Sequence, residues 1–203
     1  MSVTKEKILE TALTLFAREG FAGTSMADIA GELGITKGAL YRHYAGKRDI
    51  FECILRRMEE RDAENAERHD VPVEPIEQGA SAYGDTEIDS VIAYSEAMFR
   101  YWTQDPFASA FRRMLTLEQY RDGEMARLYS QYITGGPLKY MADLFREMGA
   151  RGCWKENDPM QLALEFYGPM TLLMAVADGP DGGDAVELLR AHLRRFVEKN
   201  REE

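Results

Sequence analysis

Residues 24–47 read Thr-Ser-Met-Ala-Asp-Ile-Ala-Gly-Glu-Leu-Gly-Ile-Thr-Lys-Gly-Ala-Leu-Tyr-Arg-His-Tyr-Ala-Gly-Lys. Ser25 with Asp28 three positions on has the form of a capping box, with Asp in place of the longer Glu or Gln. The apolar positions Met26, Ile29, Ala30 and Leu33 follow the 3, 4, 7 spacing of one buried helix face, so a first short helix is expected over Met26–Leu33. Gly34 ends it without a Cβ penalty, and Ile35 plugs the corner. Thr36 is a good N-cap for a second helix, expected over Lys37–Tyr44. Leu40 is its core residue, with Ala39 and Tyr44 partly inward. Lys37, Gly38, Tyr41, Arg42 and His43 are left outside. Helix, glycine turn and second helix with cationic, hydroxyl and aromatic groups outward make a helix-turn-helix, the layout that places its second helix in the DNA major groove.

Each outward group has a defined capacity. Lys37 and Arg42 reach guanine O6 and N7 edges or phosphates. Gly38 lets the helix start approach the groove closely. The Tyr41 hydroxyl and a His43 ring N–H can donate to phosphate. Lys47 and Arg48 open the next helix, whose free N–H groups add a small attraction for phosphate. Over residues 5–55 the chain resembles the DNA-binding domain of the TetR (tetracycline-repressor-type) transcriptional regulators. The resemblance runs through Ile8, Ala12, Phe16, Gly20, Thr24, Ile29, Ala30, Gly34, Thr36, Gly38, Leu40, Tyr41, His43, Tyr44 and Lys47. It departs at Gly46, where the family has a Ser-type cap, at Arg48, where an acidic residue is common, and at Gly31, a mid-helix glycine costing ~1 kcal/mol relative to Ala. The DNA-contacting set it implies is Thr24, Ser25, Thr36, Lys37, Gly38, Ala39, Tyr41, Arg42, His43 and Lys47.

Charge is distributed accordingly. The net charge is −10, from 25 Lys and Arg against 35 Asp and Glu. Residues 1–48 hold seven basic against five acidic side chains, which leaves 18 against 30 for the rest. A mildly positive head on an acidic body keeps phosphate attraction local. Met1–Glu10 is charged from the start and does not read as a secretory signal, and no apolar run looks long enough to span a bilayer. Cys53 and Cys153 are too few for a disulfide framework or zinc site, which fits a reducing cytoplasm.

Outward from the motif the pattern is helical throughout. Thr4–Arg18 is a first helix with Ile8, Leu9, Ala12, Leu15 and Phe16 on one face. Lys47–Arg68 is a linking helix with Ile50, Phe51, Ile54, Leu55 and Met58 inward and a charged, solvated second half. Asp70–Asp85, with Pro72, Pro75, Gly79 and Gly84, is a loop. Helices follow over Thr86–Thr103, Pro106–Leu117, and Glu118–Met148, the last broken or kinked by Gly135, Gly136 and Pro137. Asp158–Ala177 is the most apolar, and Asp184 caps a last helix to about Asn200. These last two carry apolar surface on more than one side, with Leu173, Leu189 and Phe196 expected at a seam with a second copy. The family resemblance implies the same, a four-helix bundle across a two-fold axis. It also implies a small-molecule pocket in the body. The Met and aromatic side chains Met98, Trp102, Phe111, Met114, Tyr129, Tyr132, Phe166 and Met170 are the candidate lining, suited to an apolar, aromatic or weakly cationic effector.

The expected fold is all-α, with about nine or ten helices. Residues 1–48 form a three-helix helix-turn-helix DNA-binding domain. Residues 49–203 form a helical effector-binding and dimerisation domain, its dimer helices over about 158–198. The expected function is that of a homodimeric, ligand-responsive repressor on a palindromic operator in double-stranded DNA, cytoplasmic and without membrane attachment, cofactor or metal. A ligand carrier or adaptor on the same fold is the alternative, opposed by the intact Lys37, Tyr41, Arg42, His43 and Lys47. An enzyme is the other, opposed by the separation of His43, His69 and His192 from one another.

Overall fold

The computed structural model describes residues 4–68, 88–152, 158–180 and 182–200. The loop expected over Asp70–Asp85 lies outside them, as do His69 and Cys153. In chain order the helices are α1 (Lys5–Glu19), α2 (Met26–Glu32), α3 (Lys37–Tyr41), α4 (Lys47–Arg68), α5 (Ile88–Gln104), α6 (Pro106–Glu118), α7 (Gly123–Ile133), α8 (Gly135–Ala150), α9 (Pro159–Ala177) and α10 (Ala185–Asn200), with a 3₁₀ turn at Gly182–Asp184. The described residues contain no strand, and the fold is all-α.

Some boundaries differ from the sequence pattern, each for a local reason. α3 stops at Tyr41 because Arg42 and His43 donate to the carbonyls of Ala39 and Leu40, three residues back, and tighten the last turn. The stretch Glu118–Met148 is two helices preceded by a turn. Asp122 Oδ1 accepts from the amides of Glu124 and Met125 and so starts α7. The chain breaks again at Thr134, which puts Pro137 in the first turn of α8, where no N–H is required. The charged second half of α4 is not wholly solvated. Arg61 lies 4.9 Å over the Phe107 ring, and Asp62 has Oδ1 buried without a hydrogen-bond partner. Burial pushes the Asp62 carboxyl up to about 6.

The compact units interleave along the chain: one contains residues 1–65 and 106–129, the other 66–105 and 130–203. In the first, α1 is wedged between α2 and α6. Two sets of inward residues serve this position, since Ile8, Leu9, Ala12, Leu13, Leu15 and Phe16 are all buried. Phe107, Phe111, Met114 and Leu115 supply the buried face of α6. Phe16 meets Phe21 edge-on at 5.1 Å, and Phe21 meets Phe51 of α4 at 5.2 Å.

In the second unit α9 is the central element, packing on α8, α10 and α5. Phe145, Phe166 and Phe196, one from each of α8, α9 and α10, stack within 5.1–5.5 Å of one another. Tyr167 donates its buried hydroxyl to the Ile133 carbonyl at 2.8 Å. Arg190 of α10 pairs with Glu96 of α5 at 2.8 Å. By length and composition alone α9, with 19 residues and a mean hydropathy of 1.2, could cross a membrane, contrary to the reading of the bare sequence. Leu162, Ala163, Phe166, Tyr167, Met170, Leu173 and Met174 are nevertheless buried against its neighbours, as in a core helix.

The residues expected at a seam are covered within their own unit. Leu173, Leu189 and Phe196 are buried inside the unit, whereas Leu172 and Leu188, one position earlier, are 66% and 52% exposed. A helix that is apolar on most sides does not reveal by spacing which side its own chain covers.

Candidate nucleic-acid interface

The helix-turn-helix is held by three short-range devices. At the start of α2, Ser25 and Asp28 form a reciprocal capping box: Asp28 N–H donates to Ser25 Oγ at 3.3 Å and Ser25 N–H to Asp28 Oδ2 at 2.8 Å. The Ser25 hydroxyl also donates to Asp28 Oδ2 at 2.6 Å, and this bond, with the one from the Ser25 amide, holds the Asp28 carboxyl below the usual carboxylate range. At its end Gly34 takes φ +65°. Its amide donates to Gly31 and that of Ile35 to Ala30, both at 3.0 Å, the two bonds of a Schellman motif. Thr36 Oγ1 then accepts from Ala39 N–H at 3.1 Å and starts α3. Turn and caps fix the angle between α2 and α3, and Leu40, fully buried, anchors α3 to the core.

The outer face of α3 follows. Lys37, Gly38, Tyr41 and Arg42 are exposed, Tyr41 at 46%, while Ala39 and His43 are half-buried. Lys37 Nζ lies 5.8 Å from the Tyr41 ring centroid, which puts a cation and a phenol side by side. Around Gly38 there is open space, so nothing within the protein demands its lack of a side chain. Tyr44, expected partly inward, is buried at 4% exposure. Its hydroxyl donates to the Lys5 carbonyl at 3.3 Å, and burial pushes the phenol up to about 12.

The remaining candidates divide. Ser25 and Thr36 are exposed, but each hydroxyl also serves its helix cap. Thr24 faces inward at 3% exposure, its hydroxyl donating to the Gly20 carbonyl at 2.9 Å, so its side chain is not part of the outer face. Lys47 also turns inward. Its ammonium donates to the carbonyls of Phe21, Thr24 (2.7 Å) and Ala22 (3.5 Å) and sits 4.5 Å from the Phe21 ring centroid. Burial lowers the Lys47 pKa, with the Glu118 and Asp28 carboxylates acting in the opposite direction.

Two acidic residues beside the head were not singled out in the sequence. Glu118, at the end of α6, is 2% exposed, and its Oε1 has no hydrogen-bond partner. Glu124, at the start of α7, holds Arg48 through two parallel bonds of 2.6 and 2.7 Å. This pairing raises the Arg48 pKa and lowers that of Glu124. Glu118 and Glu124 lie more than 70 residues along the chain from Lys47 and Arg48, so no local spacing signals their presence beside the head.

The side chains marked for a small molecule fall in both compact units. Phe111, Met114 and Tyr129 belong to the first, and Met98, Trp102, Tyr132, Phe166 and Met170 to the second. Phe111, Met114 and Phe166 are fully buried, and Trp102 meets Tyr132 at 6.3 Å between ring centroids.

Residues 8–54 match the family described as bacterial regulatory proteins, tetR family. The uncharacterized HTH-type transcriptional regulator YerO of Bacillus subtilis is 49% identical over 47 residues, 23% of this chain and 16% of that protein's own length. The likeness of fold is longer. SmeT, the repressor of the Stenotrophomonas maltophilia multidrug efflux pump SmeDEF, superposes with a TM-score of 0.66 at 20% identity, covering 100% of this chain and 92% of SmeT. A putative transcriptional regulator from Saccharomonospora viridis, in complex with choline, superposes with a TM-score of 0.66 at 20% identity, covering 98% of each chain.

Proposed function

We propose that this chain, which belongs to the tetR family through its N-terminal domain, is a sequence-specific DNA-binding transcriptional regulator acting as a repressor. The observation that carries the reading is the capped pair α2–α3, which fixes one outer face bearing Lys37, Gly38, Tyr41 and Arg42. An α-helix with such a face fits the major groove, where Arg and Lys distinguish guanine and a phenol reaches phosphate or a thymine methyl. His43, half-buried, sits at the edge of that face, and Ser25, Thr36 and Ala39 contribute near the two caps.

The reading includes a homodimer on a palindromic operator, because one head covers only one half-site. Its support is an uncovered apolar stripe: Met160, Leu164, Leu172 and Val176 recur at multiples of four along α9, 37–66% exposed, with Leu188 of α10 also outward. A stripe of this kind is what a self-complementary bundle of four helices buries. It also includes release of DNA on binding a small molecule, apolar, aromatic or weakly cationic. We place that site in the second unit, around the half-buried Met98 and Tyr132 and the buried Trp102 that meets Tyr132. The choline bound to the Saccharomonospora viridis protein is consistent with a cation in such surroundings. A DNA regulator of this kind works in the cytoplasm.

The test is selection of duplexes from a random pool by the purified protein, followed by footprinting. Enrichment of a sequence with two inverted half-sites on one face of the duplex is expected. Recovery of unrelated sequences, with no protected footprint, would refute the reading.

A further inference from the structure

Resting on the homodimer of that reading, we infer that α9 of one copy crosses α9 of the other at Gly168, on the two-fold axis, and that the missing side chain there selects an identical chain as partner. Met160, Leu164, Leu172 and Val176 stand exposed at every fourth position but one, and the position passed over is Gly168. Residues four apart form one ridge along a helix surface. The ridge on α9 therefore has a gap at its centre.

Nothing inside the chain calls for that gap. Gly168 is half-buried in regular helix, and an added Cβ would meet no atom within 4 Å. Its neighbour Pro169 also sits inside the helix. Glycine and proline are the two residues least suited to a helix interior, and Pro169 has no N–H for the Glu165 carbonyl. The backbone here is held from outside the helical ladder. The His192 ring N–H of α10 donates to the Phe166 carbonyl at 3.1 Å, and the Thr171 hydroxyl donates to the Gly168 carbonyl at 2.8 Å. The chain thus keeps α9 continuous around a glycine for which its own packing has no use.

A second copy does have a use for it. When two identical ridges meet across a two-fold axis, the residue on the axis faces its own copy. A side chain there would stand against itself and hold the helices apart. Glycine lets the backbones close to contact, and the ridge residues on each side then fill the grooves of the mate. The ridge reads alike from both ends, as a two-fold axis perpendicular to the helix requires. Leu164 and Leu172 lie four residues either side of Gly168, and Met160 and Val176 eight. Leu164 of each copy thus meets Leu172 of the other. Charge does not oppose the pairing: the ridge carries none, and Glu165 beside it is already held by Lys199 of α10 at 2.6 Å. An unrelated apolar partner would need no gap at the midpoint.

Sedimentation equilibrium gives the dimer Kd for wild type, Gly168→Ala and Gly168→Leu. A crossing at Gly168 predicts a Kd raised about tenfold by the methyl group and about a hundredfold by the leucine side chain. A ridge that is merely covered predicts the opposite sign for leucine, which would complete the apolar row and tighten the dimer. Gly168→Ala is also made in the Leu172→Glu chain, which the exposed ridge predicts to be monomeric, and followed by thermal unfolding. Alanine should hold or raise Tm there, because it favours the helix. A lower Tm would place the need for Gly168 inside the chain and overturn the proposal. In a Cys53→Ser, Cys153→Ser background, Leu164→Cys and Leu172→Cys proteins are mixed, allowed to exchange subunits and mildly oxidised. The mixture should give a crosslinked dimer, and neither protein alone should do so. An unchanged or lowered Kd for Gly168→Leu, no mixed crosslink, or self-crosslinking of either cysteine variant would overturn the crossing and leave the homodimer standing. Wild type that stays monomeric at micromolar concentration would refute the homodimer and the crossing with it, and leave the ridge to a different partner.

Discussion

Replacing Gly20 by alanine tests the join between the head and α6 at a single atom. Gly20 ends α1 with φ +82° and ψ 156°, a region open almost only to glycine. Holding an L-residue there costs ~1–3 kcal/mol. The added Cβ would also overlap Oε1 of Glu118, which is 2% exposed and has little room to retreat. Moving that carboxylate disturbs the α1–α6 packing and the field at Lys47, for which ~1 kcal/mol is a reasonable addition. The expected total is about 2–4 kcal/mol, a large share of the ~5–15 kcal/mol typical of a whole protein. Urea unfolding followed by far-ultraviolet circular dichroism measures it, with the same change made in a Glu118→Ala background. The overlap disappears there but the backbone strain does not, so the two changes should couple by ~1 kcal/mol and Gly20→Ala should still cost ~1–3 kcal/mol. A Gly20→Ala protein within ~0.5 kcal/mol of wild type would refute the strain argument. Zero coupling would refute the proximity of Glu118.

Asp62 gives a pH dependence. Its carboxyl is raised to about 6 in the folded chain, above its unfolded value near 3.8, so its contribution is fully present below about pH 4 and is lost as pH rises through 6. Asp62→Asn should stabilise the protein at neutral pH by ~1–2 kcal/mol and flatten its stability between pH 4 and 6; unfolding curves that remain parallel to wild type across that window would contradict this. Leu172→Glu places a charge on the exposed stripe of α9 while leaving the core intact, so it should sediment as a monomer at concentrations where wild type is a dimer, with unchanged helical content. Arg42→Ala should relax preference at one base position in each half-site, at a cost of ~1–3 kcal/mol for the preferred base, read by binding to single-base variants; equal weakening on every variant would move Arg42 to the backbone.

The helix-turn-helix was legible because its determinants are local. A capping box spans four residues, a Schellman turn six, and Thr36 caps the helix it precedes, so Ser25, Asp28, Gly34 and Thr36 specify their structure without the rest of the chain. The same holds for the all-α class, since helical periodicity is a property of the chain itself. The facing of each helix was a different matter. Leu172 and Leu173 are equally apolar, and α9 has hydrophobic groups on most sides, so only the packing of α8, α10 and α5 decided that Leu173 goes in and Leu172 stays out. Lys47 and Arg48 read from the sequence as cations beside DNA, and nothing local marks what they touch within the chain. Their partners are backbone carbonyls more than 20 residues back and a carboxylate 76 residues ahead, and charge pairing across such distances leaves no periodic trace. Caps, turns and helical periods are written in consecutive residues; the side chains that meet across helices, and the faces left bare, are settled only when α6 closes on α1 and α9 is enclosed by its neighbours.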